Sequence, residues 1–325
     1  MLGLCLGTAS GFSQDYETGT WPDFKDAAVC FTFDDGCPNQ YKTAIPMFDE
    51  YGFKLTMFTV TGWSPDWEKL KKASLNGHEI ASHTVNHSSL GFLPAGMQDS
   101  ELSNSQNEIN KHIPDKKCLT LAYPNCIKGN YDICGKYYIA ARGCGGVIES
   151  STPSDFMDIS SIVCGVQGTV KTGGDFISKT DSALSSGGLC VFLIHALDGD
   201  SGYSTLLSGE LRKELEYLKS INGRVWVATF RDIVLYIRER NSITVIETST
   251  LNNMITLKVS DGLDDSVYNY PVTLRRKLRP GENFKNASAV QNGKEVKSSI
   301  VNTGSSVYLM FDVIPGKGDV VLKLN

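Results

Sequence analysis

The sequence lacks any uninterrupted apolar run of the roughly 18 residues that a membrane-spanning helix needs. It also lacks an excess of basic residues: 36 aspartates and glutamates outnumber 31 lysines and arginines, which gives a formal net charge of −5. Because no stretch could lay a positive stripe along a phosphate backbone, nucleic acid is not expected as a partner. Internal repeats and low-complexity tracts are missing as well. With 41% hydrophobic residues in 325, the chain can bury a sizeable core.

The nine cysteines include no CxxC pair. Several of them, such as Cys30, Cys118 and Cys190, lie in apolar strand-like runs, where a free cysteine packs as a small hydrophobe. We therefore expect most cysteines to be core thiols, and we expect the same of Cys37 and Cys126. An exported chain could pair some of them, but the sequence does not give the connectivity.

The first residues, 1–13, read MLGLCLGTASGFS, a short apolar run followed by small residues. This pattern is typical of a signal-peptide cleavage site, so we expect export to the periplasm, cell envelope or medium. An ordinary disordered terminus is the alternative. Residues 1–24 are thus predicted to be a signal-like or disordered N-terminus and lead-in.

Between residues 25 and 240, short β-rich apolar runs alternate with segments whose apolar residues recur at helical spacing. This alternation predicts a parallel sheet wrapped by helices. Seven or eight such units predict a distorted (β/α) barrel. The strands are predicted at 28–33, 54–60, 79–81, 118–123, 139–142, 162–166, 189–194 and 225–227.

The remaining residues, 241–325, have a different pattern of apolar and polar residues. Apolar and polar residues alternate at 255–259 and 307–313, and Asn292-Gly293 is a two-residue hairpin signal. We predict a small antiparallel, sandwich-like β domain. Its basic cluster, Arg275 to Lys277 with Arg279, is interpreted as a solvated strand face.

Two adjacent carboxylates, Asp34 and Asp35, follow the first predicted barrel strand in the run Phe31-Thr-Phe-Asp-Asp-Gly36. The C-terminal ends of barrel strands form the mouth in which such enzymes build their active sites. Taken alone, the pair also fits a turn-capping role before a glycine. Other polar residues at the same rim are needed to indicate a site.

Two of the five histidines supply that support. His83 and His87 lie four residues apart, directly after the strand predicted at 79–81, and this spacing lets both imidazoles face one centre on a helical turn. Two imidazoles and one carboxylate are an established catalytic zinc ligand set, which leaves a position for water. A pair of exposed helix histidines is the alternative interpretation.

Two further strand ends carry polar residues, in Leu121-Ala-Tyr-Pro-Asn-Cys126 and in Val191-Phe-Leu-Ile-His195. If the strands are parallel, one rim collects six side chains. They are Asp34, Asp35, His83, His87, Asn125 and His195.

The ordered set TFDDG, SHTVNH, AYPN and LIH resembles the motifs of the polysaccharide deacetylases, the metal-dependent carbohydrate esterases of family four with a NodB-homology domain. The similarity covers roughly residues 25–240. The resemblance implies that Asp35, His83 and His87 hold one divalent metal. Zinc is expected, and cobalt, nickel and iron fit the same ligand set.

The resemblance also implies catalytic roles. Asp34 is the implied general base, the backbone N–H of Asn125 an oxyanion-hole donor, and His195 the general acid. Sugar contacts are predicted for Trp63, Tyr123 and Tyr203.

Two positions depart from the family pattern. Ala122 stands where the family has an arginine that tethers the base, and we expect Arg142 to hold Asp34 instead, since its fork can grip a carboxylate. The aspartate that supports the acid histidine is matched loosely by Asp155, with Asp158 as a rival.

The sequence therefore predicts a metal-dependent hydrolase that removes acetyl groups, foremost N-acetyl from amino sugars, from a polysaccharide or oligosaccharide and releases acetate. A non-catalytic carbohydrate-binding protein on a degenerate deacetylase barrel is one alternative. A two-carboxylate glycosidase is another, although it would not need the histidine pair. The choice between N- and O-acetyl substrates, the physiological metal and the role of residues 241–325 stay open.

Overall fold

The computed structural model describes residues 15–251, 253–279, 282 and 287–324. The predicted signal segment, residues 1–13, lies outside these. The chain divides into two compact units: residues 25–234 form one, and residues from 235 onward, with the described residues before 25, form the other. Among the described residues, no helix combines the length and apolar character required to cross a bilayer.

The helices are α1 (Ile45–Tyr51), α2 (Trp67–Leu75), α3 (Ala95–His112), α4 (Tyr131–Cys134), α5 (Gly173–Ser186), α6 (Ser208–Ser220) and α7 (Phe230–Ser242). The strands are β1 (Tyr16–Thr18), β2 (Ala27–Asp34), β3 (Thr56–Thr59), β4 (Glu79–Ser82), β5 (Thr120–Ala122), β6 (Ala140–Arg142), β7 (Ile162–Val163), β8 (Leu189–Ile194), β9 (Val225–Val227), β10 (Thr244–Leu251), β11 (Met254–Ser260), β12 (Val272–Lys277), β13 (Ser288–Gln291), β14 (Lys294–Glu295), β15 (Ser298–Thr303), β16 (Ser306–Val313) and β17 (Val320–Lys323).

The unit of residues 25–234 is built on one parallel sheet in the order β6-β5-β4-β3-β2-β8-β7, and β9 pairs with the start of β2. The sheet curls into a half-barrel, so the predicted distorted (β/α) barrel is confirmed. All eight residues of β2 are buried, which explains its nearly continuous apolar sequence. Phe31 of β2 lies in the core, with its ring centroid 5.0 Å from Phe48 and 5.1 Å from Phe192.

The parallel arrangement places the carboxyl ends of the strands at one edge of this sheet. Asp34 ends β2, and Arg142 ends β6. His83 directly follows β4, and His195 directly follows β8. Since each strand end is fixed by a buried ladder, this edge is a rigid frame for polar side chains.

The second unit contains two antiparallel sheets, ordered β1-β12-β16-β15 and β10-β11-β17-β13-β14. The predicted antiparallel β architecture of this part is therefore confirmed. Strand β1 comes from the segment predicted as lead-in and pairs with β12. The division between the units falls inside α7, after Val234, whereas the sequence predicted a boundary after Arg240.

The basic cluster of this unit forms the predicted solvated face only in part, since Lys277 and Arg279 are exposed and Arg276 is not. Arg276 is fully buried, and its guanidinium binds both carboxylate oxygens of Glu282 at 2.9 and 3.0 Å. Arg275 pairs with Glu17, and Arg279 pairs with Asp15. The prediction was wrong for Arg276 because alternation along β12 turns this side chain inward, where only a paired charge is tolerated.

Candidate metal centre and active site

The two adjacent carboxylates occupy a sharp turn at the end of β2. Asp35 and Gly36 both have left-handed backbone conformations, with φ of 73° and 72°. Such a conformation is costly for a residue other than glycine, and its presence at a functional turn is common. Both Asp34 and Asp35 line a cavity of about 340 Å³ at the sheet edge. His83, His87, Arg142 and His195 line the same cavity.

The histidine pair lies in a loop, so the predicted helical turn was wrong. Thr84 and His87 have φ of 66° and 57°, and these left-handed residues fold the chain back between β4 and the next helix. The Nδ1 atom of His83 lies 2.9 Å from the carbonyl oxygen of Ala122. Because a carbonyl only accepts, Nδ1 carries the proton and Nε2 keeps its lone pair for a ligand.

The three predicted metal ligands converge. The Oδ1 atom of Asp35 lies 3.7 Å from Nε2 of His83 and 3.5 Å from Nε2 of His87. The three donor atoms all lie within 4.8 Å of one another. Ligands bound at 2.0–2.1 Å in a tetrahedron are separated by about 3.4 Å, so the spacing fits one ion.

A second observation supports a cation at this point. Oδ1 of Asp35 is buried and has no hydrogen-bond partner among the described residues. A buried acceptor without a partner is costly, and a bound cation would satisfy it. Two imidazole nitrogens and one carboxylate oxygen are suited to zinc and to other divalent first-row metals.

Asp34 has a different environment from its neighbour. It is 2% exposed, and its Oδ2 accepts a hydrogen bond of 2.5 Å from Nη2 of Arg142. The same oxygen lies 3.6 Å from Nε2 of His83 and 3.9 Å from Nε2 of His195. Burial alone would raise the pKa of Asp34, but the Arg142 guanidinium and the nearby imidazoles outweigh burial and lower it. Asp34 is therefore an ionised carboxylate.

Arg142 reaches Asp34 from β6, the neighbour of β5, on which Ala122 stands in place of the family's arginine. Ala122 of β5 is paired in register with Arg142 of β6, so the guanidinium comes from one strand further along the same edge. Arg142 is 1% exposed. Its Nη1 donates to Oγ of Ser161 at 3.2 Å, which fixes the second arm of the guanidinium. The structure thus brings together the two residues that the sequence paired.

His195 does not have the carboxylate partner that the sequence predicted. Its Nδ1 is buried without a hydrogen-bond partner among the described residues, and burial lowers the pKa of the ring. Asp155 instead accepts from the backbone N–H of Met157 at 2.8 Å, and Asp158 pairs with Lys128. Both aspartates lie in the loop after β6 and bond to groups other than His195, so neither supports the histidine.

Asn125 lies on the rim of the cavity, three residues after β5. Its backbone is left-handed, with φ of 54°, and its side-chain amide donates to Oγ of Ser89 at 3.0 Å. The next residue, Cys126, forms a disulfide with Cys144. The expectation of a core thiol at Cys126 was therefore wrong, because this cysteine is exposed at the rim and faces the strand-end loop after Arg142.

The other described cysteines match the expectation of core thiols, since all of them are free and buried. They are Cys30, Cys37, Cys118, Cys134, Cys164 and Cys190.

The predicted sugar contacts have different surroundings. Trp63 is 53% exposed, with its ring centroid 5.3 Å from that of His87. Tyr203 is also 53% exposed, and its ring lies 5.0 Å from that of His195. Tyr123, in contrast, is buried in the hydrophobic core. Tyr123 directly follows β5 and lines the cavity, but it is 1% exposed, so its ring has no open face on which a sugar could stack.

Comparison with known proteins finds a match between part of this chain and one protein family. Residues 22–132 match the sequence model of the family described as "Polysaccharide deacetylase". The matched stretch contains Asp34, Asp35, both histidines of the loop and Asn125. Residues 22–132 are therefore similar to the polysaccharide deacetylases, over about a third of the chain.

The chain also has relatives among known proteins. The chain is 31% identical over 94% of its length to a gellan lyase from a Bacillus species, and 34% identical over 30% of its length to YxkH of Bacillus subtilis, which is assigned to the polysaccharide deacetylases. The chain spans 13% and 37% of the lengths of these two proteins. A Mycobacterium smegmatis structure assigned to the same family shares the fold, with 18% identity, a TM-score of 0.52, and 72% of this chain and 96% of that chain covered.

One residue that supports the loop of the two histidines was missed by the sequence reasoning. Glu101 of α3 accepts hydrogen bonds of 2.9 Å from the backbone N–H groups of Val85 and Asn86, and of 2.7 Å from the Asn86 side-chain amide. It thereby holds the loop that carries His83 and His87. The sequence feature that could have indicated Glu101 is its position on the buried face of α3, beside Leu102 and three residues after Gln98.

Proposed function

We propose that this chain is a metal-dependent deacetylase that hydrolyses acetyl groups, foremost N-acetyl groups of amino sugars, on a polysaccharide or oligosaccharide and releases acetate. One observation carries the proposal: a three-ligand cation site shares a single cavity with an ionised, arginine-held carboxylate. The family of residues 22–132 supports the reaction class. The names of the curated relatives support a glycan substrate.

Asp35, His83 and His87 would hold the metal. A divalent cation there would supply Lewis acidity for the acetyl carbonyl and would lower the pKa of a water molecule by several units. We propose zinc, on the basis of the two imidazoles and one carboxylate, and the same ligand set also accommodates cobalt, nickel and iron.

Asp34 acts as the general base in this scheme. Its Oδ1 is buried and has no hydrogen-bond partner among the described residues, while Oδ2 is held by Arg142. An ionised carboxylate with one free oxygen can accept the proton of the attacking water. A positioned base of this kind contributes roughly 10²- to 10⁴-fold in rate.

The remaining residues act on the intermediate and the leaving group. The backbone N–H of Asn125, at the cavity rim, donates to the developing oxyanion. His195 protonates the departing amine. Because burial lowers the pKa of His195, this ring is neutral before the reaction. It must therefore receive a proton before it can protonate the amine. Asp34, which gains a proton from the attacking water, has its Oδ2 3.9 Å from Nε2 of His195.

The deacetylase proposal is favoured over the binding-protein alternative by one contact. Ala122 departs from the family pattern, yet Arg142 pairs with Asp34 from the adjacent strand. A glycosidase is also disfavoured, because Asp35 lies among imidazoles at ligand distance and is not placed across a glycosidic bond from Asp34.

We also propose that the protein is exported. The Cys126–Cys144 disulfide supports this, since such bonds persist in oxidising compartments.

The test measures acetate release from a panel of N- and O-acetylated oligosaccharides, using protein loaded with zinc, stripped with a chelator, and reloaded. We expect release from the loaded and reloaded protein and none from the stripped protein. Acetate release that is insensitive to the chelator would contradict the metal assignment. Saccharide binding without acetate release by the loaded protein would instead establish the binding-protein alternative.

Two variants with adjacent substitutions separate the proposed roles. Asp34→Asn is expected to keep bound zinc and to lose roughly 10²- to 10⁴-fold in kcat. Asp35→Asn is expected to lose the metal and, with it, the activity. Equal metal loss in both variants, measured by elemental analysis after dialysis, would refute the division of roles.

A further inference from the structure

We propose that the Cys126–Cys144 disulfide is a positioning element of the active site, and that its reduction by a dithiol lowers kcat without releasing the metal. The inference rests on the proposed deacetylase function. It concerns a covalent bond between two segments that each deliver a group to the reaction: the turn with Asn125 and the strand end with Arg142.

The bond lies next to both groups. Cys126 directly follows Asn125, and Cys144 comes two residues after Arg142. The Sγ atom of Cys144 lies 4.0 Å from Nη1 of Arg142, and both cysteines line the same cavity as Asp34. The disulfide is thus part of the wall that borders the reacting groups.

The turn that carries Asn125 needs an external constraint. Asn125 and Cys126 are consecutive left-handed residues other than glycine, with φ of 54° and 61°. Such residues persist only where the surrounding structure fixes them. Both residues are exposed, and backbone hydrogen bonds from Cys126 to Tyr123 and from Ile127 to Pro124 are local to the turn. The disulfide ties this turn to the loop that follows β6, 18 residues further along the chain.

The metal ligands are held independently of this bond. Asp35 extends from β2, and the loop with His83 and His87 is fixed by Glu101. The Nδ1 atom of His83 is bonded to the carbonyl of Ala122, which belongs to β5 and precedes the turn. Reduction should therefore move the Asn125 amide while leaving the metal in place.

The redox step is a thiol–disulfide exchange with a dithiol as reductant. The S–S bond breaks, Cys126 and Cys144 each gain one hydrogen, and the dithiol gives up two electrons and two protons as it closes to its own disulfide. Because Cys126 is exposed, the reductant can reach the bond. The six other described cysteines are free and buried, so reduction of the native protein exposes two new thiols among the described residues.

The experiment compares the zinc-loaded protein before reduction, after reduction with dithiothreitol and removal of the reductant, and after reoxidation. Thiol labelling of the native protein shows whether the bond is reduced, and elemental analysis measures the zinc content. We expect kcat to fall at least about tenfold on reduction, since small misplacements of reacting groups are costly. KM should change by less than about threefold, zinc content should stay constant, and reoxidation should restore kcat.

A Cys126→Ser/Cys144→Ser double variant is the matched control. It should have the low kcat of the reduced protein from the start, and dithiothreitol should leave it unchanged. If this variant does not fold, the comparison of reduced and reoxidised natural protein still decides the question, with circular dichroism showing that the fold is kept.

The outcomes separate this inference from the proposed function. Equal kcat before and after reduction, with two thiols gained, would overturn the positioning role while leaving the deacetylase proposal intact. Zinc loss that added zinc does not reverse in the reduced protein, once the dithiol has been removed, would overturn it too, because the bond would then support the metal ligands. No acetate release from the oxidised, zinc-loaded protein would refute the deacetylase function, and the positioning role with it.

Discussion

Two carboxylates that are adjacent in the sequence have separate chemical environments in this protein. Asp34 is bonded to Arg142 and keeps one oxygen free, whereas Asp35 lies between two imidazole nitrogens. The left-handed conformation of Asp35 makes this separation possible, because it turns the chain immediately after the strand. The proposed base and the proposed metal ligand are thus separated by the backbone conformation of adjacent residues.

Arg142 should be required for turnover but not for metal binding. We expect Arg142→Ala to lower kcat by about 10- to 100-fold, because Asp34 loses the group that orients it and favours its charge. Arg142→Lys should recover only part of that loss, since an ammonium cannot bond both Asp34 and Ser161 with the geometry of the guanidinium. Steady-state kinetics with zinc analysis check this, and an undiminished kcat in Arg142→Ala would remove the proposed role.

Glu101 should affect the metal centre without touching a ligand. In Glu101→Gln the side chain can no longer accept on both oxygens, so the hydrogen bonds to the loop of His83 and His87 are weakened. Changes to groups that orient metal ligands cost about 10- to 100-fold in metal affinity, and we expect a loss in that range. Competition with a chromogenic chelator measures the affinity.

Glu108→Gln is the matched control for this prediction, since Glu108 lies on the same helix and pairs with His112 near the surface. Its zinc affinity should equal that of the natural protein. An equal loss in both variants would show that α3 acts through general stability.

At the scale of secondary-structure elements, the contact between α5 and α6 contains a buried carboxyl group. Glu214 of α6 is fully buried and accepts from the hydroxyl of Thr180 of α5 at 2.6 Å. Its second oxygen has no hydrogen-bond partner among the described residues. Burial raises the pKa of Glu214 to about 8. The group is therefore protonated in the folded protein at neutral pH.

This helix pair should lose stability as the pH rises. The folded state holds the Glu214 proton up to about pH 8, whereas the unfolded chain releases it near the ordinary value of 4.5. The folded state binds more protons between these values, so the free energy of unfolding falls as the pH increases through that window. A shift of this size corresponds to a loss of about 4–5 kcal/mol over the whole window.

Glu214→Gln removes the titrating proton and keeps the shape of the side chain. The free energy of unfolding of the variant, minus that of the natural protein, should be larger at pH 8 than at pH 5. Urea unfolding of both proteins at the two pH values measures this difference. Parallel pH dependences in the two proteins would contradict a raised pKa at this position.

On the scale of the whole molecule, metal binding should be linked to folding. The three proposed ligands come from the turn after β2 and from the loop after β4, and these segments are brought together only in the folded α/β unit. A ligand that binds the folded state alone stabilises it by about 2.7 kcal/mol at a free concentration of 100 times Kd. Zinc should therefore raise the midpoint of thermal unfolding of the natural protein.

The same measurement on two variants tests the assignment. His83→Ala should lose the zinc-dependent increase in the unfolding midpoint, whereas Asp34→Asn should retain it, since Asp34 is not a ligand in this scheme. A zinc-dependent increase in His83→Ala as large as that of the natural protein would show that zinc binds elsewhere.

Local sequence patterns are sufficient to predict the parallel sheet and the rim on which the candidate site lies. Apolar runs of strand length, each followed by polar residues, specify where strands end, and parallel pairing then brings those ends to one edge. Asp34, Asp35, His83, His87 and His195 could be placed at the rim for this reason. These are local features of the chain, readable from spacing and composition.

The partners of these residues, in contrast, depend on contacts between distant segments of the folded chain. The register of β5 with β6 sets Arg142 beside Ala122, and the close approach of two loops pairs Cys126 with Cys144. The packing of α3 brings Glu101 to the histidine loop, and no carboxylate among the described residues bonds Nδ1 of His195. Such contacts join segments far apart in the chain, and they depend on strand register and side-chain packing, which local sequence patterns do not specify.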